Sequence, residues 1–496
     1  MLKANTLSLG RIRAVHFIGI GGAGMGGIAE VLLTLGYKVS GSDTANNAMV
    51  QRLSKLGAVI STKHEASNVD HCDVVVISSA IAPNNVEWLR AIEKRIPVVQ
   101  RANMLGELMR FKQGIAIAGA HGKTTTTSLV ASLLAEAHLD PTFVIGGVLN
   151  RCGSNARLGA GRYFVAEADE SDASFLHLMP MIAVVTNIDH DHLENYQNDF
   201  NVLKKAYLHF LQRLPFYGLA VLCVDDPEIR ALLPKVDRPF ITYGFSEEAS
   251  VRAIDFRQEE GQSFFTVIRK DRTPLAITLN LPGKHNVLNA LAAITVATEE
   301  GLADEIIQRA LLHFQGVGRR FQRVGTLEAA SAPLQEVLVI DDYGHHPKEI
   351  QVVLETMRAS WPQKRLVMVY QPHRYSRTKA LFEDFVSILS TVDVLILLDV
   401  YSAGEAHIQG ADGRALAFSI RTRGRLEPIF VADKQDVFKI LADVLEPNDV
   451  LLMQGAGDIS GLVGELIAKG LSFNHHPLWH FKPSVHTMLE TVVPPV

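Results

Sequence analysis

Cysteine is scarce: three residues in 496, Cys72, Cys152 and Cys223, too few and too scattered for a disulfide framework or a Cys-x-x-Cys metal site. No apolar stretch approaches the ~18 to 20 residues that a membrane-crossing helix needs. The longest are strand-length runs such as VLILL at 394–398. The first residues lack the charged, apolar and small-residue succession of a signal peptide. A formal net charge of -5 leaves no basic excess to neutralise a nucleic-acid backbone. Internal repeats and low-complexity segments are missing as well. These absences lead us to expect a cytoplasmic protein of reducing surroundings, acting on small molecules, with no nucleic acid and no membrane insertion; a monomer–dimer equilibrium is left open.

What is present is ordinary globular composition, 47% hydrophobic and 20% charged. A chain of 496 residues exceeds what one core usually serves, so roughly two to four domains are expected. Short apolar runs alternate with helical patterns, which argues for parallel α/β sheets. AVHFIGI, the helix MGGIAEVLLTLG closed by Gly36, YKVSGSD and DVVVISSAI form a βαβ-type unit in about the first 110 residues. GIAIAG then opens a second unit whose helix, KTTTTSLVASLLAEA, places Leu129, Val130, Leu133 and Leu134 on one face. A third alternation begins near residue 320 with VLVIDDYGHHPKEI, RLVMVYQPHRYSRT, DVLILLDV and DVLLMQGAGDIS. The last stretch, SFNHHPLWHFKPSVHTMLETVVPPV, shows no period and is read as a tail.

Two glycine turns follow buried strands. Gly19, Gly21 and Gly24 satisfy G-x-G-x-x-G between a strand and a helix, and Asp43 ends the next strand where a ribose-binding acid belongs. Backbone amides at that helix start suit a pyrophosphate of any nucleotide, so a nicotinamide dehydrogenase is one reading of this motif alone. The second turn, GAHGKTTTT, is more specific: Gly119 and Gly122 let the backbone wrap phosphate oxygens, Lys123 can reach terminal phosphates, and the Thr124 hydroxyl is placed for Mg²⁺. It has two residues, Ala120 and His121, where the common P-loop has four. A hydride-transfer enzyme leaves this second loop unexplained.

Ligands of open α/β sheets collect at the carboxyl ends of strands. There FVAEADESD and NIDHDHLENY supply Glu167 and His192 as metal ligands, with Glu170, Asp172 and His190 read as ordinary loop residues. Asn286 and Asn289 start a helix, where amides suit an adenine edge and helix capping accounts for them equally. Arg319 and Arg320 stand in a linker, as phosphate contacts or solvated charges. Arg374 and Arg377, three apart at an expected helix start, could share the grip on a carboxylate.

Taken in order from about residue 12 to 470, HFIGIGGAGMGGIAEVL, GSD, AGAHGKTTTTSLV, VAEADESDASFL, DHLENY, PGKHNVLNALAA, GVGRRFQ, DDYGHHP and PHRYSRT resemble the muramyl ligase family. The resemblance implies an α/β chain of three domains. These are a Rossmann-like UDP-sugar domain at 1–111, a P-loop-type mononucleotide-binding ATP domain at 112–319 and a Rossmann-like amino-acid domain at 320–471, before a tail at 472–496. It implies domains that close during turnover and an ATP-dependent amide ligase of peptidoglycan precursors, with ATP and Mg²⁺ as cofactors. UDP-N-acetylmuramate and L-alanine are the expected substrates, and a recycled tripeptide is the alternative to alanine.

By motif, the resemblance assigns ATP to Gly119, Ala120, His121, Gly122, Lys123, Thr124, Thr125, Asn286, Asn289 and Arg320, and metal to Thr124, Glu167 and His192. Catalysis falls to Lys123, Glu167, His192 and Asp342. The sugar nucleotide takes Gly21, Gly22, Ala23, Gly24, Met25, Asp43, His64, Ser78 and Ser79. Tyr343, His345, Arg374 and Arg377 fall to the amino acid. Related ligases carry a carbamylated lysine near the metals; Lys204 and Lys205 lie nearby, and neither is assigned that role.

Overall fold

The structure, a computed structural model, describes residues 9–78, 80–110, 112–171, 173–191, 193–329, 332–473 and 476–483. The chain divides into two compact units, one built mainly from residues 1–257, 263–280 and 284–314 and one mainly from 315 onward.

The first unit contains two sheets. In the first, β1 (Ala14–Ile18), β2 (Lys38–Ser42), β3 (Val59–Ser61), β4 (Val74–Ile77) and β5 (Val98–Gln100) are parallel in the order β3-β2-β1-β4-β5. Helices α1 (Ala23–Thr34), α2 (Ala48–Lys55), α3 (Val86–Glu93) and α4 (Arg101–Met109) connect or follow these strands. The order reverses beside β1, which makes its carboxyl end a crevice for a ligand.

The second sheet has ten strands. They are β6 (Gln113–Ala118), β7 (Thr142–Leu149), β8 (Ser154–Arg157), β9 (Tyr163–Glu167), β10 (Ile182–Val185), β11 (Leu219–Cys223), β12 (Phe240–Gly244), β13 (Val251–Glu259), β14 (Gln262–Arg269) and β15 (Leu275–Leu279). The parallel core runs β12-β11-β10-β6-β9-β7, so β6 lies between β10 and β9. Its helices include α5 (Lys123–Glu136), α6 (Phe200–Gln212), α7 (Pro227–Leu232), α8 (Lys284–Glu299) and α9 (Asp304–Leu312).

The one-faced helix expected after GIAIAG differs from the structure: every residue of α5 from Thr124 to Leu134 is buried. The helix is covered by its own sheet on one side and by α8 and α9 on others, so its threonines are interior too. Their hydroxyls bond inside the protein, Thr127 to the Lys123 carbonyl at 2.8 Å and Thr126 to Asn289 Oδ1 at 3.2 Å.

The second unit holds β16 (Gln322–Ala329), β17 (Ala332–Asp342), β18 (Leu366–Tyr370), β19 (Val394–Leu398), β20 (Ile429–Val431), β21 (Val450–Gln454), β22 (Leu471–Phe473) and β23 (His476–Pro483), ordered β20-β19-β18-β21-β17-β16-β23-β22. Alternation along the strands sorts them onto two cores. Leu338, Ile340, Met368, Leu395 and Leu452 face one; Val337, Val339, Val367, Ile396 and Leu451 face the other. Helices α10 (Pro347–Ser360) and α11 (Tyr375–Ala380) follow β17 and β18.

The stretch read as a tail is corrected in part. Residues 476–483 form β23, antiparallel to β16 from Gly325↔Pro483 to Ala329↔Trp479. Its periodless sequence gives no strand signal because the pairing comes from the open edge of β16, a partner some 150 residues away.

Within the first unit, Gly106 of α4 lies so close to the 3-10 turn Ser174–His177 that a Cβ would stand 2.7 Å from the His177 carbonyl oxygen. Gly106→Ala is therefore expected to cost ~1 to 3 kcal/mol, read as a lower thermal transition of the first unit. An unchanged transition would show that the two segments are not in this contact.

Candidate functional site

The first glycine turn leaves β1 with Gly19 at φ +79°, a conformation glycine adopts without strain. The Ser42 carbonyl at the end of β2 accepts from the Gly19 and Ile20 amides at 2.8 and 3.1 Å. Gly21 donates its amide to Asp43 Oδ2 at 2.8 Å, and a Cβ there would meet that same oxygen at 2.8 Å. Gly22 caps α1 without a side-chain hydrogen bond, and the first turn of the helix carries no acidic residue. The amides and positive dipole end of α1 are thus unopposed by any carboxylate of that turn. Gly24 lies against the Arg101 guanidinium, which pairs with Asp169 at 3.3 Å, and Met25 is buried. His64 bonds Ser42 Oγ and Glu87 Oε2, both at 2.9 Å. Ser78 follows β4 and accepts from the Ile81 amide at 3.1 Å. Ser79, the side chain of Ala23 and the loop residues Asp172 and His192 lie outside the described residues.

The second turn leaves β6 with Gly119 at φ +135° and Gly122 at φ +82°. Side chains from the end of β10 clamp it. Asn187 Oδ1 accepts from the His121 amide at 2.8 Å, while Thr186 Oγ1 and Asn187 Nδ2 donate to the His121 carbonyl at 2.6 and 2.9 Å. A Cβ at Gly119 would lie 2.1 Å from Thr186 Oγ1, and one at Gly122 would lie 2.4 Å from Asn289 Oδ1. Asn289 also donates to Asn286 Oδ1 at 3.3 Å within α8, and it accepts from Thr126 Oγ1 of α5. Thr124 and Thr125, each 8% exposed, begin α5, whose first turn carries no acidic residue.

Lys123 has its Nζ 2.6 Å from the Gly119 carbonyl and 2.8 and 2.9 Å from the two Glu170 oxygens. Burial alone would lower its pKa; the field of Glu170, Asp169 and Glu167 outweighs burial and raises it, so the ammonium stays charged. Glu170, treated in the sequence as an ordinary loop acid, is instead the lysine's partner and is 3% exposed. Glu167 ends β9, with Oε1 accepting from the Gly146 amide at 2.7 Å. His190, 63% exposed, stacks on Phe200 at 3.6 Å. Lys204 pairs with Glu228 at 3.1 Å, and Lys205 is exposed.

These residues fit a nucleoside triphosphate with Mg²⁺. Among the described residues no group of three or more His, Cys, Asp and Glu forms a closed metal cage. Mg²⁺ asks for less: one or two protein oxygens, with substrate phosphates and waters completing its shell. The Thr124 hydroxyl in the first turn of α5 and the Glu167 carboxylate at the end of β9 are oxygen donors of that kind.

In the second unit, Arg319 and Arg320 stand over the Tyr343 ring at 4.9 and 5.1 Å, and Arg320 lies 3.9 Å from Glu349. Asp342 is buried with its carboxylate engaged by the protein: Phe321 N donates at 2.9 Å, Gly344 N at 2.7 Å and Gln454 Nε2 at 2.7 Å. It fixes the turn that carries Tyr343. His345 and His373 rings lie 5.6 Å apart, His373 stacks on Tyr401, and Arg377 reaches His373 Nδ1 at 3.3 Å. Burial, aided by His345, Arg377 and Arg374, lowers the His373 pKa to about 4, and burial lowers His345 as well. Both imidazoles are therefore neutral near pH 7.

Arg374 does not share a helical face with Arg377, because it is the cap of α11 at φ 70°, outside the helix, and its side chain is exposed. His373, Tyr401, Thr186 and Asn187 went unrecognised in the sequence. The only local signal was their place just after a strand.

Family models match three successive parts of the chain: the Mur ligase family catalytic domain at 14–113, the Mur ligase middle domain at 117–297 and the Mur ligase glutamate ligase domain at 319–457. Among solved structures, a UDP-N-acetylmuramate–alanine ligase from Thermotoga maritima is 29% identical, with TM-score 0.78, over 92% of this chain and 98% of that one. A murein peptide ligase from Psychrobacter arcticus shares the fold at 23% identity and TM-score 0.68, over 92% and 98% of the two chains. A UDP-N-acetylmuramate:L-alanyl-gamma-D-glutamyl-meso-diaminopimelate ligase from Neisseria meningitides is 29% identical over 62% of this chain and 100% of that one, with TM-score 0.58.

The Lys123–Glu170 pair has a thermodynamic consequence. Glu170→Gln removes the nearest counter-charge and is expected to destabilise the ligand-free protein by about 3 kcal/mol. If Lys123 is a ligand of the ATP phosphates, they meet in this variant an ammonium freed of its nearest carboxylate, and ATP should raise the melting temperature more in Glu170→Gln than in the native protein. Equal ATP-induced shifts in a thermal-shift titration would contradict that competition.

Proposed function

This chain belongs to the Mur ligase family, and within it we propose that the enzyme joins L-alanine to the lactyl carboxylate of UDP-N-acetylmuramate at the expense of ATP. Members of the family are ATP-dependent ligases that form amide bonds in peptidoglycan precursor synthesis, and the nicotinamide reading of the first loop is set aside. The observation that carries the proposal is the pair of phosphate-type loops in one unit, after β1 and after β6, with a charged lysine among carboxylates at the second only. Two loops provide for two nucleotides, the sugar nucleotide on the first and ATP on the second.

In this reading residues 1–111 bind the sugar nucleotide, 112–319 bind ATP, and 320–471 bind the amino acid. A carboxylate is a poor electrophile; its oxygen attacks the terminal phosphorus of ATP, ADP leaves, and the acyl phosphate so formed has phosphate as its leaving group. The amine of alanine attacks the acyl carbon, the tetrahedral intermediate collapses, and inorganic phosphate departs as the amide forms. Lys123 exchanges Glu170 for the terminal phosphates of ATP and offsets the charge on the phosphoryl group in transit. Mg²⁺, held through Thr124 and Glu167, would supply further charge neutralisation there. His192 is proposed as a further metal contact, and Asn286 and Asn289 as the nucleotide side of the same site. Arg377 is proposed to hold the alanine carboxylate, beside two imidazoles that burial keeps neutral. The proposed location is the cytoplasm; among the described residues no helix is long and apolar enough to cross a membrane.

Alanine is preferred to the tripeptide because, over equal shares of both chains, likeness to the alanine ligase, 29% identity and TM-score 0.78, exceeds likeness to the murein peptide ligase, 23% and 0.68. Phosphate release in the presence of ATP, Mg²⁺ and UDP-N-acetylmuramate decides between them. L-alanine is expected to support turnover and L-alanyl-γ-D-glutamyl-meso-diaminopimelate is not. Release with the tripeptide alone would overturn the choice of substrate and leave the ligase chemistry standing.

A further inference from the structure

The first domain buries a carboxylate that no step above uses. Glu87 begins α3 with a side chain 0% exposed. Ser42 Oγ donates to its Oε2 at 2.6 Å and His64 Nδ1 at 2.9 Å, while Asn68 Nδ2 donates to Oε1 at 2.6 Å. His16 Nε2 stands 3.6 Å from Oε1, and its Nδ1 lies 2.9 Å from Ser40 Oγ. Burial alone would raise the pKa of Glu87; the polar groups around it, His16 and Ser42 foremost, outweigh burial and pull it down to about 2. A buried anion is costly, and an apolar side chain of similar volume would pack this helix start at least as well.

Ser42 and His16 are buried, whereas His64, with a side chain 27% exposed, and Asn68 are only partly buried, and of these two His64 is the one that also contacts Ser42. His64 lies just past the end of β3, on the rim where the first glycine loop emerges. Ser42 ties the two together: its carbonyl accepts from the Gly19 and Ile20 amides, and its hydroxyl contacts both His64 and Glu87. Because Nδ1 faces a carboxylate it carries a proton, and Nε2 is the ring nitrogen left for a ligand.

We infer that Glu87 is a positioning residue that locks the His64 ring so that Nε2 meets the nucleoside diphosphate held by the Gly19–Gly24 loop. The inference rests on assigning that loop to the sugar nucleotide. The lock pays the cost of ordering the imidazole before the ligand arrives, as outer-shell carboxylates do for other histidines. Glutamine at 87 keeps the shape but loses the charge and one acceptor oxygen, leaving an NH2 to face either His64 and Ser42 or Asn68, so it holds the ring less firmly.

The test is calorimetric binding of UDP and, separately, of a non-hydrolysable ATP analogue to the full chain and to Glu87→Gln, His64→Ala and the double variant. Glu87→Gln and His64→Ala are each expected to weaken UDP about tenfold, with ATP-analogue affinity unchanged. The double variant should be no weaker than His64→Ala, because a lock has no effect once the ring is gone. A purely structural Glu87 would weaken both ligands, or add its loss to that of His64→Ala, and either result overturns the inference. Should Glu87→Gln fail to fold, His64→Ala alone decides, and undiminished UDP affinity there overturns it too. Failure of the unmodified chain to bind UDP would instead overturn the assignment of the first loop, and the inference with it.

Discussion

A lysine ammonium among buried strands must have a counter-charge, and the centre of this protein is arranged around that requirement. Lys123 is 17% exposed and Glu170 3% exposed, so separating them without a replacement leaves a charge stranded in poor solvent. Phosphate is a replacement of the right sign. The parallel pairing of β6 with β9, in the register Ile117↔Glu167, brings lysine and carboxylates to one edge although 47 residues separate Lys123 from Glu170. The clamp of Thr186 and Asn187 on His121 comes from β10, the other neighbour of β6. Each strand beside β6 thus supplies one component of the turn that follows it.

The same rule recurs in the other two sheets. After β1 the chain turns through glycines whose amides are drawn to Ser42 and Asp43 at the end of β2. After β17 it turns through Asp342, whose two oxygens are saturated by Phe321, Gly344 and Gln454, and Tyr343 and His345 are fixed in consequence. Strand interiors are apolar and interchangeable in kind. Strand ends are polar and specific, and the chemistry resides there.

That contrast explains what was legible in the sequence. Strand–helix alternation, both glycine turns and Lys123 are local patterns, and the three α/β sheets and the two strand–glycine turn–helix units stand where those patterns put them. Glu170 was not recognisable as the partner of Lys123, because one acid among Glu167, Asp169, Glu170 and Asp172 is singled out only by the register of β9 against β6. Glu87, an acid in the first turn of α3, carries no local sign that it is buried against Ser42 and His64. Arg374 and Arg377 have helical spacing, but the turn from β18 puts Arg374 at φ 70° and outside the helix. β23 has no pattern of its own and is a strand only because β16 offers an edge. In each case the missing information is a pairing between segments distant in sequence.

The central claim is that the two loops serve two different nucleotides at once. Calorimetric titration of UDP into the full chain, first alone and then in the presence of saturating Mg²⁺ and a non-hydrolysable ATP analogue, tests it directly. The account predicts one UDP site per chain under both conditions, with the analogue still bound. Displacement of either nucleotide by the other, or loss of the UDP site when the analogue is saturating, would contradict it.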